Sequence, residues 1–124
     1  MLLDAQSLFS DAQAITATAA STNVVHFGKG EFTFVPLLIQ VVENFATLTS
    51  LTIKVQTAVD SAFTNAVDLA SATIAAAGLT VGKVVPINYI PSGNLGYIRI
   101  YYTVTGSNAT AGKITAGVVA NPEY

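Results

Sequence analysis

Apolar and polar residues alternate over several short stretches, and this period of two constrains the fold more than any other feature of the chain. In LTIKVQT, residues 51–57, the apolar side chains Leu51, Ile53 and Val55 alternate with polar ones. Successive side chains of a β-strand point to opposite faces of the sheet, so this pattern predicts a strand with one buried face. YIRIYYTV, residues 97–104, predicts a second strand of the same kind.

Four further stretches have the apolar content of strands and are bounded by Gly, Asn and Ser, which favour turns. They are residues 22–27, 36–44, 83–90 and 113–119. Pro86 has no backbone N–H to donate, so its strand is expected at a sheet edge or a bulge. Six or more short strands predict one all-β domain over residues 1–124: an antiparallel β-sandwich or jelly roll with at most one short helix.

Two segments fit the strand pattern less well. Residues 66–78 are rich in Ala, Ser and Thr, and form either a short helix that ends at Gly78 or a connection between sheets, which we favour. Residues 1–12 form either an N-terminal arm that reaches another subunit or simply the first strand. The apolar residues that this segment would offer to a partner are Leu2, Leu3, Leu8 and Phe9.

The chain is poor in charge. Asp, Glu, Lys and Arg make up 10% of its residues and hydrophobic residues 52%, whereas charged residues are about 25% of an ordinary soluble domain. The cores of protein interfaces lose charge in this way, while the surfaces of solvated monomers keep it. The composition therefore predicts a protein that works assembled with others. The net charge of −2 argues against nucleic acid as a partner.

Residues that could carry chemistry are scarce. The chain has no cysteine and a single histidine, His26, so a structural zinc site is not expected. No cofactor or catalytic activity is expected either, because an enzyme would need Glu43 or Asp60 to meet another carboxylate in a pocket. No apolar run reaches the ~18 residues of a membrane span, and acidic residues interrupt the N-terminal segment where a signal peptide would be apolar, so synthesis in the cytoplasm is expected.

One cluster of conspicuous side chains remains, in the strand predicted over residues 97–104. Alternation places Tyr102 inward and puts Tyr97, Arg99 and Tyr101 together on the other face. These three residues suit two functions: a carbohydrate-binding platform, with Tyr97 and Tyr101 stacking on a sugar, or a cross-strand ladder that contacts another subunit. Tyr and Arg are enriched at interface hot spots, so we favour the second.

Three stretches of the chain resemble a known family when taken in their order and spacing. They are LLDAQSLFSDAQAITATAASTNVVHFG, residues 2–28; LTIKVQTAVDSAFTNAVDLAS, residues 51–71; and PSGNLGYIRIYYTVTGSNATAGKITAGVVANPE, residues 91–123. Together they are similar to the small capsid cement, or head decoration, proteins of tailed bacteriophages, of the kind found in a short-tailed Bordetella phage. None of the three stretches is a catalytic signature.

The resemblance implies a jelly-roll protein made in the host cytoplasm and placed on the outer capsid surface of the virion. There it would bridge neighbouring major capsid protein subunits and stabilise the head. The family brings no activity and no cofactor. Homodimers and homotrimers both occur among such proteins, so the oligomeric state and the face that meets the capsid stay open.

Overall fold

A computed structural model describes residues 3–26, 35–87, 89–90 and 95–119. Within these ranges the chain forms nine β-strands and one short turn of 3₁₀ helix. The strands are β1 (Leu3–Ala14), β2 (Ala19–Ala20), β3 (Val25–His26), β4 (Val35–Ala46), β5 (Ser50–Ala58), β6 (Val67–Ala75), β7 (Tyr89–Ile90), β8 (Tyr97–Thr105) and β9 (Ala111–Val119). The 3₁₀ turn, Ala76–Gly78, follows β6 directly.

The strands form two antiparallel sheets. The first sheet has the order β1-β9-β4-β7, and the second has the order β2-β8-β5-β6, with β3 also paired to β8. In the described part of residues 83–90, the predicted strand is limited to an isolated bridge between Val84 and Gln40 and to β7. Because β7 is the last strand of the first sheet, the edge position expected from Pro86 is confirmed.

The order of the strands is that of a jelly roll. If β2 and β3 are counted as one interrupted strand, the first strand pairs with the last, the second with the last but one, and so on inward to the hairpin of β5 and β6. A long hairpin of four such strand pairs, wound around a common core, gives the two Greek keys of a jelly roll. The predicted all-β sandwich is therefore confirmed.

The core lies between the two sheets and follows the alternation in the sequence. On β5 and β8 the inward side chains have no exposed surface at all: Leu51, Ile53, Val55, Ile98, Ile100 and Tyr102. Side chains of the first sheet, such as Ile39 and Ile114, belong to the same cluster. Burying each large aliphatic side chain contributes roughly 1.5–3 kcal/mol, so this layer is the main source of stability in a chain without disulfides.

Most of the segment 66–78 is a strand, so both expectations for it were wrong. Val67–Ala75 form β6, which pairs with β5 from Ser50 opposite Ala75 to Thr57 opposite Val67, and only Ala76–Gly78 at its end are helical. Strand formation depends on the neighbouring strand more than on intrinsic propensity, and β5 supplies that neighbour.

The described part of residues 1–12 forms a strand, which is one of the two alternatives expected for this segment. The described part of the N-terminal segment belongs to β1, a first strand that pairs with β9. The strand expected over residues 22–27 is limited to β3 in the described part of that range.

Candidate interaction surface

The three outward residues of β8 lie on the exposed face of the second sheet, as predicted. Tyr97, Arg99 and Tyr101 are each half-buried. Their neighbours in the antiparallel register are Ala58, Gln56 and Lys54 of β5. Because β8 is a central strand with partners on both sides, these side chains are presented by a rigid part of the sheet.

The guanidinium group of Arg99 is held between two aromatic rings and one amide. Its Cζ lies 4.3 Å from the centroid of the Phe63 ring and 5.0 Å from that of Tyr101, both within cation–π range. Its Nε donates a hydrogen bond to Oε1 of Gln56 at 2.9 Å. The orientation of the only arginine in the chain is therefore set by contacts within the protein.

The contacts of Arg99 continue across the sheet to β6. Nε2 of Gln56 donates to Oδ1 of Asp68 at 2.9 Å, and Oδ2 of Asp68 forms an ion pair with Nζ of Lys54 at 3.3 Å. We call these four residues, Arg99, Gln56, Asp68 and Lys54, the Arg99 ladder. Partly exposed ion pairs contribute at most about 1 kcal/mol each. The ladder therefore serves mainly to order the outer face of three adjacent strands.

Phe63 is the member of this surface that sequence reasoning missed. It lies in the loop between β5 and β6, is only 6% exposed, and has a positive φ of 56°. Asp60 shapes the loop: its backbone carbonyl accepts from the N–H of Phe63, and its Oδ1 accepts from the N–H of Thr64 at 3.0 Å. The Asp and Asn residues of DSAFTNA are turn formers, but nothing in the sequence pairs Phe63 with Arg99.

The described apolar residues of the N-terminal segment belong to the first sheet, whereas the three outward residues of β8 belong to the second. Leu3 and Leu8 lie in β1, opposite Val119 and Gly117 of β9 in the first sheet, and Leu2 lies outside the described residues. Phe9 has no exposed surface and packs in the core between the sheets. Its side chain is therefore engaged within the chain rather than presented to a partner.

The inward side of β8 carries a buried polar network that joins the two sheets. The hydroxyl of Ser10, in β1, donates to Oε1 of Gln13 at 2.6 Å and lies 2.8 Å from the hydroxyl of Tyr102. Since Ser10 has only one proton and uses it for Gln13, Tyr102 is the donor in the second bond. Gln13 is in turn fixed by the backbone N–H of Thr22 and the carbonyl of Ala20. Burial raises the pKa of Tyr102.

The carboxylates that an enzyme would need are engaged separately. Oε1 of Glu43 accepts from the N–H of Gly112, and its Oε2 lies 3.6 Å from Nζ of Lys113, while Asp60 shapes its own loop as described above. Among the described residues there is no cluster of three potential metal ligands and no pocket. In the same part of the chain, no helix is long and apolar enough to cross a membrane.

Fold and surface together define a jelly-roll protein with an ordered outer face of aromatic and paired polar side chains. A comparison with protein families matches residues 9–118, which is most of the chain, to the family Bbp16. The chain therefore belongs to the Bbp16 family, a family of Bordetella phage proteins. No curated protein matches the chain.

Proposed function

We propose that this chain is a non-enzymatic cement protein of a phage head. It binds the outer surface of the capsid as a homodimer or homotrimer, bridges neighbouring major capsid protein subunits and so reinforces the shell. The observation that carries the proposal is the outer face of the second sheet, where Tyr97, Arg99 and Tyr101 are held in place on a central strand. Membership of a phage protein family supports the same role.

The charge pattern of this face suits contact with another protein. Lys54 and Asp68 pair with each other, and the guanidinium group of Arg99 already packs against the rings of Phe63 and Tyr101, so part of the cost of desolvating these charges is met before a partner covers the face. Aromatic residues and arginine are the types that contribute most at such contacts. A shell repeats each contact many times, so a modest affinity per copy still gives strong reinforcement.

The alternative function, a carbohydrate-binding module that uses Tyr97 and Tyr101, is less well supported. Such a platform needs open aromatic faces on which a sugar ring can stack. The guanidinium group of Arg99 lies over the ring of Tyr101, so one face of that ring is already covered. Saturable sugar binding that is lost in Tyr97→Ala and Tyr101→Ala would favour this alternative over the cement role.

The proposal is tested by adding the purified chain to phage heads that lack it and measuring the bound copies at increasing concentrations. Arg99→Ala removes the guanidinium group at the centre of the face. Loss of a hot-spot side chain costs about 1.4 kcal/mol or more, which corresponds to an affinity at least tenfold weaker.

Lys83→Ala is the matched control, because it also removes one positive charge but from an exposed residue beside the first sheet. We expect it to bind heads like the unmodified chain. Equal binding by both variants and the unmodified chain, with all three folded by circular dichroism, would contradict the proposed surface.

A further inference from the structure

We propose that two copies of this chain pair through β6, edge to edge and antiparallel, so that their second sheets join into one continuous sheet. The biological setting of this contact rests on the proposed function. The contact adds to that function the strand through which sister copies meet.

The first ground is the exposed edge that β6 presents. β6 is nine residues long and closes the second sheet, and among the described residues it is paired on one side only, with β5. From Ala70 to Ala75 its register against β5 is unbroken, and this stretch, ASATIA, contains no charge and no proline. The unpaired backbone groups of such an edge are a template for another strand.

The second ground is the contrast with the other sheet edges of the described structure. β2, β3 and β7 have two residues each, too few to serve as a template. β1 is long, but its pairing with β9 has three register shifts and Ala12 has a positive φ of 49°. Short strands and irregularities are the devices by which proteins prevent pairing at an edge. β6 lacks them over ASATIA, as expected if this edge is covered in the working protein.

The third ground identifies the occupant as a second copy. A two-fold contact needs a surface that matches itself, and an antiparallel pair centred on Ser71 places Ala70 opposite Ala72 of the other copy, small residue against small residue. The nearest charge on β6, Asp68, is already paired with Lys54 of β5. In this register the two Asp68 residues lie six positions apart, roughly 20 Å, which exceeds the screening length of about 8–10 Å. Self-pairing thus brings no like charges together.

Pairing also covers apolar surface at the open end of the sandwich. Leu69, Ala70 and Ala72 of β6 pack against the core but stay partly exposed in the single chain. Ala and Ser lose little side-chain entropy when they are ordered, so the contact is favoured even though its side chains are small.

The absence of cysteine from the chain allows a direct cross-linking test. In Ser71→Cys the two thiols of a pair centred on this residue face each other, and directly opposed residues have Cα separations of about 4.5–5.5 Å, within the range of a disulfide. We expect this variant to form a covalent dimer under mild oxidation. Ser107→Cys, in the exposed loop after β8, controls for random collision and should cross-link at least tenfold more slowly.

A second variant tests the same contact without a covalent bond. Ser71→Glu places a carboxylate beside Lys54, its neighbour on β5, which is compatible with the fold, but sets two negative charges opposite each other in the pair. We expect sedimentation to show a dimer for the unmodified chain and for Ser107→Glu, and at least tenfold weaker dimerisation for Ser71→Glu.

The proposal is overturned if the unmodified chain sediments as a monomer at the highest concentration it tolerates. It is also overturned if a dimer persists in Ser71→Glu while Ser71→Cys cross-links no faster than its control. Dimerisation is measured without phage heads, so a failure of the head-binding experiment would count against the cement role and not against this contact.

Discussion

The hydroxyl of Tyr102 lies deep between the sheets and donates its proton to Ser10 on the opposite sheet. Tyr102→Phe keeps the ring but leaves the Ser10 oxygen without this donor. A buried hydrogen bond contributes about 1 kcal/mol, so we expect the free energy of unfolding to fall by about that amount at neutral pH, as measured by urea denaturation. No loss of stability would show that the two sheets do not depend on this bond.

The buried hydroxyl of Tyr102 also makes the free energy of unfolding depend on pH in the alkaline range. Burial raises the pKa of Tyr102 above its ordinary value of 10.0, so above that pH the unfolded chain releases this proton while the folded chain retains it. Below pH about 10 this proton therefore does not change the free energy of unfolding. Above that pH the free energy of unfolding falls by up to about 1.4 kcal/mol per pH unit.

Unfolding in urea at a series of alkaline pH values measures this dependence. Tyr102→Phe should be less sensitive to pH than the unmodified chain. Tyr101→Phe, which removes a hydroxyl from the outer face of the same strand, should keep the sensitivity. If both variants lose this sensitivity to pH equally, the buried hydroxyl of Tyr102 is not its source.

Residues of the candidate surface could be predicted from the sequence only along a single strand. The period of two in β8 correctly placed Tyr102 inward and Tyr97, Arg99 and Tyr101 outward. It gave no sign of Phe63, because the ring reaches Arg99 from a loop that is distant in sequence and turns through a positive φ. The Arg99 ladder depends equally on the register between three strands, which alternation alone does not determine.

Among the strands, β9 is packed so closely against β4 that one position accepts only glycine. A Cβ atom at Gly112 would overlap the ring of Phe45, and its φ of +137° disfavours other residues. Gly112→Ala combines backbone strain of about 1–3 kcal/mol with overpacking of about 1–3 kcal/mol. We expect a correspondingly large drop in the free energy of unfolding, measured by urea denaturation.

Gly82→Ala separates the two causes. Its φ of +94° is also positive, but a Cβ there meets nothing within 4 Å, so only the backbone strain remains. The loss at Gly82 should therefore be smaller than the loss at Gly112 by the overpacking contribution. Equal losses would mean that Phe45 moves aside at little cost.

Strands with a strong period of two were predictable, and those that depend on a neighbour were not. β4, β5, β8 and β9 match the expected stretches closely. β6 was missed because Ala and Ser have low strand propensity and because the strand exists through its register with β5. An edge strand has one exposed side, so its sequence carries less of the apolar signal that marks a central strand.

For the whole molecule, the jelly-roll order of the strands is consistent with the low charge of the chain. The two sheets enclose one core that contains many of the large aliphatic side chains of the described residues, while small and neutral residues cover much of the surface. Because such a surface has few charges, we expect it to favour repeated contact with other proteins over a monomer in solution. Fold class was predictable from the alternation, whereas the pairing order depends on contacts between strands that are distant in sequence.

Cryo-electron microscopy of phage heads assembled with and without this chain tests the cement role most directly. We expect jelly-roll density on the outer surface of the complete heads, spanning the contacts between neighbouring major capsid protein subunits and absent from heads that lack the chain. In that density the face bearing Arg99 should be covered. Identical capsid surfaces in the two kinds of head would rule out the cement role.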